Sequence, residues 1–234
     1  MCTVSFLPLQ NDGFILTHNR DEKTLREPAL LPSWNKDILY PKDGRAGGTW
    51  IACSKNNRTV CLLNGAFEKH VSQPPYRISR GKVVLDAFEE KSFEDFVANY
   101  NLEGIEPFTL IVVDHAAQID LYELRWDGVT KHFKLLDPSN VHFWCSATLY
   151  PKEVAQTRRT WFDEWVKNNV FEEANIRHFH QYGGTGDPEN DLMINRDDFM
   201  KTISITSILK NEGVTSMNYL DLLNNEPSNK IVIL

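Results

Sequence analysis

The sequence predicts an α+β fold in which two antiparallel sheets stack on each other with helices outside both. Three observations predict it. Strand-like runs come in blocks and helical runs come in blocks, which favours packed layers over alternating βαβ crossovers. Short turn signals, Asn11-Asp12-Gly13 and Asp127-Gly128, join neighbouring strand-like runs as antiparallel hairpins require. The chain of 234 residues is 41% hydrophobic, with 13 Phe, 7 Tyr and 6 Trp, enough to bury a sizeable core without disulfides or metals. A single domain over residues 1–234 is expected.

Each element follows in order. Cys2 to Leu7 and Phe14 to His18 are apolar or β-branched at most positions and flank Asp12-Gly13, where Gly supplies the positive φ of a hairpin turn. Neither run alternates cleanly, as in strands covered on both faces. Pro28 to Gly44 reads as a loop rich in Pro and Asp. A second hairpin joins Gly47–Cys53 to Thr59–Asn64. Lys82 to Tyr100 is helical in two pieces, the second capped by Ser92 with Asp95 three residues on. Phe108–Val113, Ile119–Trp126 and Thr130–Leu136 form a meander, followed by a short strand at Val141–Ser146. Helices are expected at Lys152–Lys167 and Phe171–His180, then a glycine-rich loop from Tyr182 to Asp191. Thr202 to Thr206 alternates as a half-buried strand, and Lys230 to Leu234 reads as another.

Composition excludes several classes. The 25 Lys and Arg against 32 Asp and Glu give a net charge of −7, and no basic cluster exists beyond Arg158-Arg159, so nucleic acid is not an expected partner. Four cysteines (Cys2, Cys53, Cys61, Cys145) without a Cys-x-x-Cys pair point to reduced thiols. Residues Met1 to Gln10 lack the n-region and h-segment of a secretory signal, and no stretch approaches the ~20 apolar residues of a membrane span. A cytoplasmic protein is expected.

The chemistry begins at Cys2. A small residue behind Met1 implies removal of the initiator, which leaves a thiol (pKa ~8.5) beside a free α-amine (roughly 7.7–8.0) that can act as its base. A thiolate attacks an amide or ester carbonyl to give a thioester, which water hydrolyses. Read alone, Cys2 is more simply a strand residue with a small side chain. The hairpin then presents His18-Asn19-Arg20-Asp21-Glu22 near Cys2. Alternation puts Asn19 and Asp21 on one strand face and His18 and Arg20 on the other. Asp21 is placed to hold the Cys2 ammonium, with Asn19 beside it; a solvated strand end capped by an Arg–carboxylate pair is the other reading.

Met1-Cys2, Asn19-Arg20-Asp21-Glu22, Gly47-Gly48-Thr49-Trp50 and the strand ending at Asn64 resemble the NRDE family, also called transport-and-Golgi-organisation-2-like proteins. Those motifs span roughly the first third of the chain; Phe179-His180 and Gly186-Asp187-Pro188 fit bacterial-type members more loosely. The family is similar to the cysteine N-terminal-nucleophile hydrolases, among them penicillin V acylase and bile salt hydrolase. The resemblance implies a four-layer αββα sandwich, Cys2 as nucleophile and Asn19-Arg20-Asp21 as the motif after the first hairpin. It also implies Asn64 as an oxyanion donor, with Asn64-Gly65 offering side-chain and backbone N–H groups; the same dipeptide is also a strong turn signal. The sequence departs from the hydrolases at three places. Their Arg ahead of the motif Asp is replaced by His18, Ala147 stands where a second amide is expected, and the strand Thr202 to Thr206 lacks a nearby Arg.

No metal or cofactor is called for. His178 and His180 sit two apart on a helix and face apart, and Asp187-Pro188-Glu189-Asn190-Asp191 lacks calcium-loop spacing. Cys53 and Cys61 lie on paired strands, and Trp161 and Trp165 at helical spacing read as core. Two functions follow: an amidase acting on a linear, non-peptide C–N bond of a small molecule, or a non-catalytic carrier or trafficking factor binding haem or an acyl lipid. The second is implied by animal members of the family. Oligomeric state is not predicted.

Overall fold

The computed structural model describes residues 2–25, 30–224 and 229–233. In chain order the elements are β1 (Cys2–Leu9), β2 (Gly13–Lys23), β3 (Leu30–Asn35), β4 (Ile38–Lys42), β5 (Ile51–Ser54) and β6 (Arg58–Asn64), then α1 (Arg80–Asp86) and α2 (Phe93–Asn99). The meander β7 (Phe108–Asp114), β8 (Asp120–Trp126) and β9 (Lys131–Leu136) follows, with β10 (His142–Cys145) after it. The last part carries α3 (Lys152–Asn168), α4 (Glu173–Tyr182), β11 (Asn195–Arg196), β12 (Met200–Asn211), β13 (Val214–Asp221) and β14 (Asn229–Ile233). The chain divides into two compact units.

The first unit takes both ends of the chain: residues 1–26, 139–145 and 149–234. Its antiparallel sheet has the order β10-β1-β2-β12-β13-β14, with β11 paired to β12. One face buries Leu7 and Ile15 against Phe162 of α3, Ile176 and Phe179 of α4, and Leu192. Trp161 and Trp165 pack on that cluster, as helical spacing predicts. The second unit, residues 27–138 and 146–148, holds the sheet β3-β4-β5-β6-β7-β8-β9. Val83 and Val84 of α1 and Phe93 and Phe96 of α2 cover its apolar face. Ser92 caps α2, its hydroxyl accepting from the Asp95 N–H at 3.0 Å.

Four expectations are corrected. Positive φ in the first turn falls on Asn11 and Asp12, not on Gly13; this two-residue turn closes with Gly13 N–H to Gln10 O at 3.2 Å. Gly13 is needed for another reason: a Cβ there would stand 2.8 Å from the Lys210 carbonyl oxygen. The stretch read as a loop from Pro28 to Gly44 contains β3 and β4 (Pro28 and Ala29 lie outside the described residues). Pro32 is tolerated because β3 is an edge strand, and Pro41 because β4 pairs with β5 only at Ile38 and Leu39. The strand expected at Thr202–Thr206 belongs to the twelve-residue β12 and is buried on both faces, not half-buried. It turns at Glu212-Gly213 into β13, which the sequence reading lacked. Among the described residues no helix is long and apolar enough to cross a membrane.

Candidate functional site

Register decides which side chains meet. Cys2 pairs with Arg20 across β1 and β2, and Arg20 pairs with Ser204 of β12, so Cys2, Arg20 and Ser204 share one face of the sheet. Thr3 pairs with Asn19, and Asp21 pairs with Thr202; these four share the opposite face, which α3 and α4 cover. The alternation expected from sequence is therefore the arrangement found. His18, Asn19, Arg20 and Asp21 are all buried, which overturns the solvated strand end. Arg20 Nη2 lies 4.0 Å from Glu22 Oε2.

Cys2 is 3% exposed. Burial pushes its thiol up; the Arg20 guanidinium pulls down and the Asp21 carboxylate adds to the rise. Desolvation outweighs the pull of Arg20, so Cys2 needs a base. The α-amine proposed for that role is Cys2's own only once Met1 is gone, and Met1 lies outside the described residues.

Asp21 sits between two hydroxyls. Tyr150 donates to Oδ2 at 2.5 Å and Thr202 to Oδ1 at 2.7 Å. Burial raises the Asp21 carboxyl, while Arg158, Thr202 and Tyr150 act to lower it. Arg158 of α3 is wholly buried and donates to Thr3 Oγ1 at 2.8 Å, to Asn190 O at 2.9 Å and to Asp191 O. Asn19 does not reach toward Cys2. Its Nδ2 donates to the carbonyls of His180 and Leu192, both at 2.9 Å, and its Oδ1 meets His180 Nδ1 at 2.7 Å.

Asn64 ends β6 in the second unit and is half-buried. Ser146 donates to its carbonyl at 2.7 Å, fixing the strand end. Gly65 has φ +83°, and a Cβ there would meet Thr148 Cγ2 at 2.8 Å. The Gly65 N–H donates to Pro107 O at 2.9 Å. The expectation that it serves an oxyanion is therefore corrected: that donor is already used. All four cysteines are free thiols, and Cys53 and Cys61 oppose Thr59 and Ile51 respectively.

Sequence reasoning missed Tyr150, Thr202, Arg158 and His180 as neighbours of this cluster. One signal was present: Arg158 lies four residues before Phe162, so a cation occupies the buried stripe of α3.

Several solved structures share this fold. A variant of conjugated bile acid hydrolase from Clostridium perfringens superposes with a TM-score of 0.59 at 11% identity, covering 98% of this chain and 92% of that one. Penicillin V acylase from Agrobacterium tumefaciens gives 0.52 at 9% identity over 98% and 90%. The Caenorhabditis elegans ortholog of N-acylethanolamine-hydrolyzing acid amidase gives 0.52 at 11% identity over 88% and 92%. At such identities the likeness shows the fold, the α+β N-terminal-nucleophile hydrolase type that the sequence predicts. No curated protein sequence matches the chain. A family model does: the one described as Transport and Golgi organisation 2 matches residues 1–211. That span takes in Cys2, the Asn19-Arg20-Asp21-Glu22 block and Asn64, and the chain belongs to the transport and Golgi organisation 2 family.

Proposed function

We propose that the protein is an N-terminal-nucleophile hydrolase that cleaves a linear, non-peptide amide, with residues 1–234 working as one domain. Removal of Met1 frees the Cys2 amine. That amine takes the thiol proton as sulfur attacks the acyl carbonyl, then delivers it to the leaving amine as the C–N bond breaks. Water hydrolyses the resulting thioester to the acid and returns the thiol. Asp21 anchors the ammonium, Arg20 lines the thiol's face, Asn19 braces β2 from behind, and Asn64 donates to the oxyanion. The observation that carries this reading is Cys2 at the start of β1, in register with Arg20, with a buried, doubly hydrogen-bonded Asp21 one step further along β2. The neighbours add support through their names, a hydrolase, an acylase and an amidase. One related structure is of a bile acid hydrolase whose second residue, a cysteine, is replaced by alanine.

The test is a panel of N-acyl amino acids, acyl amides and simple esters. Cys2→Ala should abolish turnover and Cys2→Ser nearly so. Asp21→Asn should impair it strongly, and Asn64→Ala should cost about 10² in rate. Turnover that survives Cys2→Ala sinks the nucleophile assignment.

A second reading, a carrier for haem or an acyl lipid, is favoured by two observations: Ala147 has no amide and the Gly65 N–H is committed to Pro107. Tight binding of haem or acyl lipid by protein that turns over no member of the panel would establish it instead.

A further inference from the structure

A fully buried carboxylate tends to recover its proton, because desolvation disfavours the charged form. Asp21 is in that position, yet its surroundings are organised for an anion. Both oxygens face hydroxyl donors. Thr202 Oγ1 already accepts from the Ile194 N–H at 2.9 Å, so its single hydrogen is directed to Asp21. The Tyr150 ring carries the Arg158 guanidinium carbon 3.6 Å from its centroid, with that of Arg196 at 5.6 Å. Arg158 donates to a hydroxyl and two carbonyls, all neutral, while its field acts on Asp21.

The strand register contributes as well. Pairing shifts between Thr202 and Ser204, opposite Asp21 and Arg20. In an unbroken ladder Ile203 would oppose Asp21, and Thr202 would share the face of Arg20. The extra residue brings a hydroxyl to the carboxylate in place of an apolar side chain.

We propose that Tyr150, Thr202 and Arg158 are positioning residues of the candidate site, which together hold the Asp21 carboxylate ionised and in one orientation so that it can anchor the Cys2 amine. The purpose assigned to this clamp rests on the reading of Cys2 as nucleophile; the clamp itself is a property of Asp21. Besides the chain's terminal amine, which lowers it, the titratable side chains that act on Asp21 are Arg158 of α3, Tyr150 ahead of it, Cys145 of β10 and Cys2 of β1. Among these Arg158 is the cation, and Tyr150 stays protonated because burial and Asp21 both push its hydroxyl up.

The experiment is a ¹³C-carboxyl NMR titration of aspartate-labelled protein, with the Asp21 signal assigned by Asp21→Asn. Wild-type Asp21 should be ionised at pH 7. Tyr150→Phe keeps the ring under Arg158 and removes only the donor; it should raise the Asp21 midpoint by about 1 pH unit. Thr202→Val should act in the same direction. Arg158→Met should raise the midpoint by at least as much, and Arg158→Lys, which keeps the charge, should restore most of the difference. An Asp21 that is protonated at pH 7 in the wild type overturns the proposal. So does a midpoint unmoved by Tyr150→Phe, the variant least disturbing to packing. Retained Met1, or activity that survives Cys2→Ala, would defeat the nucleophile reading while the titration still decides the clamp.

Discussion

At the scale of single residues, Asn19 and His180 illustrate how hydrogen bonding settles a proton's place. Both Asn19 amide hydrogens go to carbonyls, so its Oδ1 accepts, and His180 Nδ1 must carry the hydrogen. His180 Nε2 then accepts from the Ser5 hydroxyl at 2.8 Å. The ring is neutral, and it is occupied at both nitrogens by the framework rather than turned toward a ligand. The thiols differ in the same local way. Burial pushes Cys2, Cys53 and Cys145 all up, but only Cys2 gains a free amine when Met1 leaves. Intact mass of untagged protein should therefore show Met1 absent. Limiting iodoacetamide followed by peptide mapping should then label Cys2 first. Even labelling of the four thiols, or labelling concentrated on Cys145 beside Arg158, would count against the site.

At the scale of elements, hairpin geometry and strand contacts decide what local sequence leaves open. The β1–β2 turn takes its two positive φ angles at Asn11 and Asp12, residues whose short polar side chains tolerate that region. Gly13 serves close packing against β12 instead. Gly13→Ala should destabilise the protein by roughly 1–3 kcal/mol, because the strand that carries the Arg20 and Asp21 motif must shift to accept the methyl. Urea unfolding measures this, and an unchanged midpoint would refute the contact. Ser92→Ala tests the other unit. Loss of the cap on α2, whose Phe93 and Phe96 fill the core, should cost about 1 kcal/mol. Pro32 and Pro41 mislead a reading of β3 and β4 because proline's missing N–H matters only where a neighbour needs it, and neighbour positions are invisible in the sequence.

At the scale of the whole molecule, buried ionisable groups give stability a predictable dependence on pH. Burial lowers the His180 pKa to about 3, from 6.5 unfolded. Below 6.5 the unfolded chain binds a proton that the folded ring refuses, so stability is full above that value and is lost as pH falls toward 3. Between pH 7 and pH 5 this single group should remove about 2 kcal/mol. Asp21 works with the opposite sign. Its folded pKa is raised, so its contribution weakens as pH climbs from the unfolded value near 3.9 through the folded one. Urea unfolding at pH 7 and pH 5 should show the loss, and His180→Gln should flatten it. An equal slope in that variant would mean other groups dominate.

The hairpin from Cys2 to Lys23, the meander from Phe108 to Leu136 and the helices α3 and α4 were legible because period, turn chemistry and capping are local properties. The motif around Asp21 was legible for a related reason: alternation along β2 divides Asn19 and Asp21 from His18 and Arg20 whatever the strand pairs with. What stands opposite each face is a different kind of fact. Thr202 meets Asp21 across 181 positions of chain through a bulge that no local signal marks. Tyr150 reaches the same carboxylate from 129 positions away, and Arg158 enters from the buried stripe of α3, whose partner strand the chain order does not name. The sequence by itself determined the candidate nucleophile, its motif and the strands that carry them. Tertiary structure alone decided which groups surround the cluster and in which direction each pushes its protons, because desolvation and charge fields depend on distances through space, which chain order does not encode.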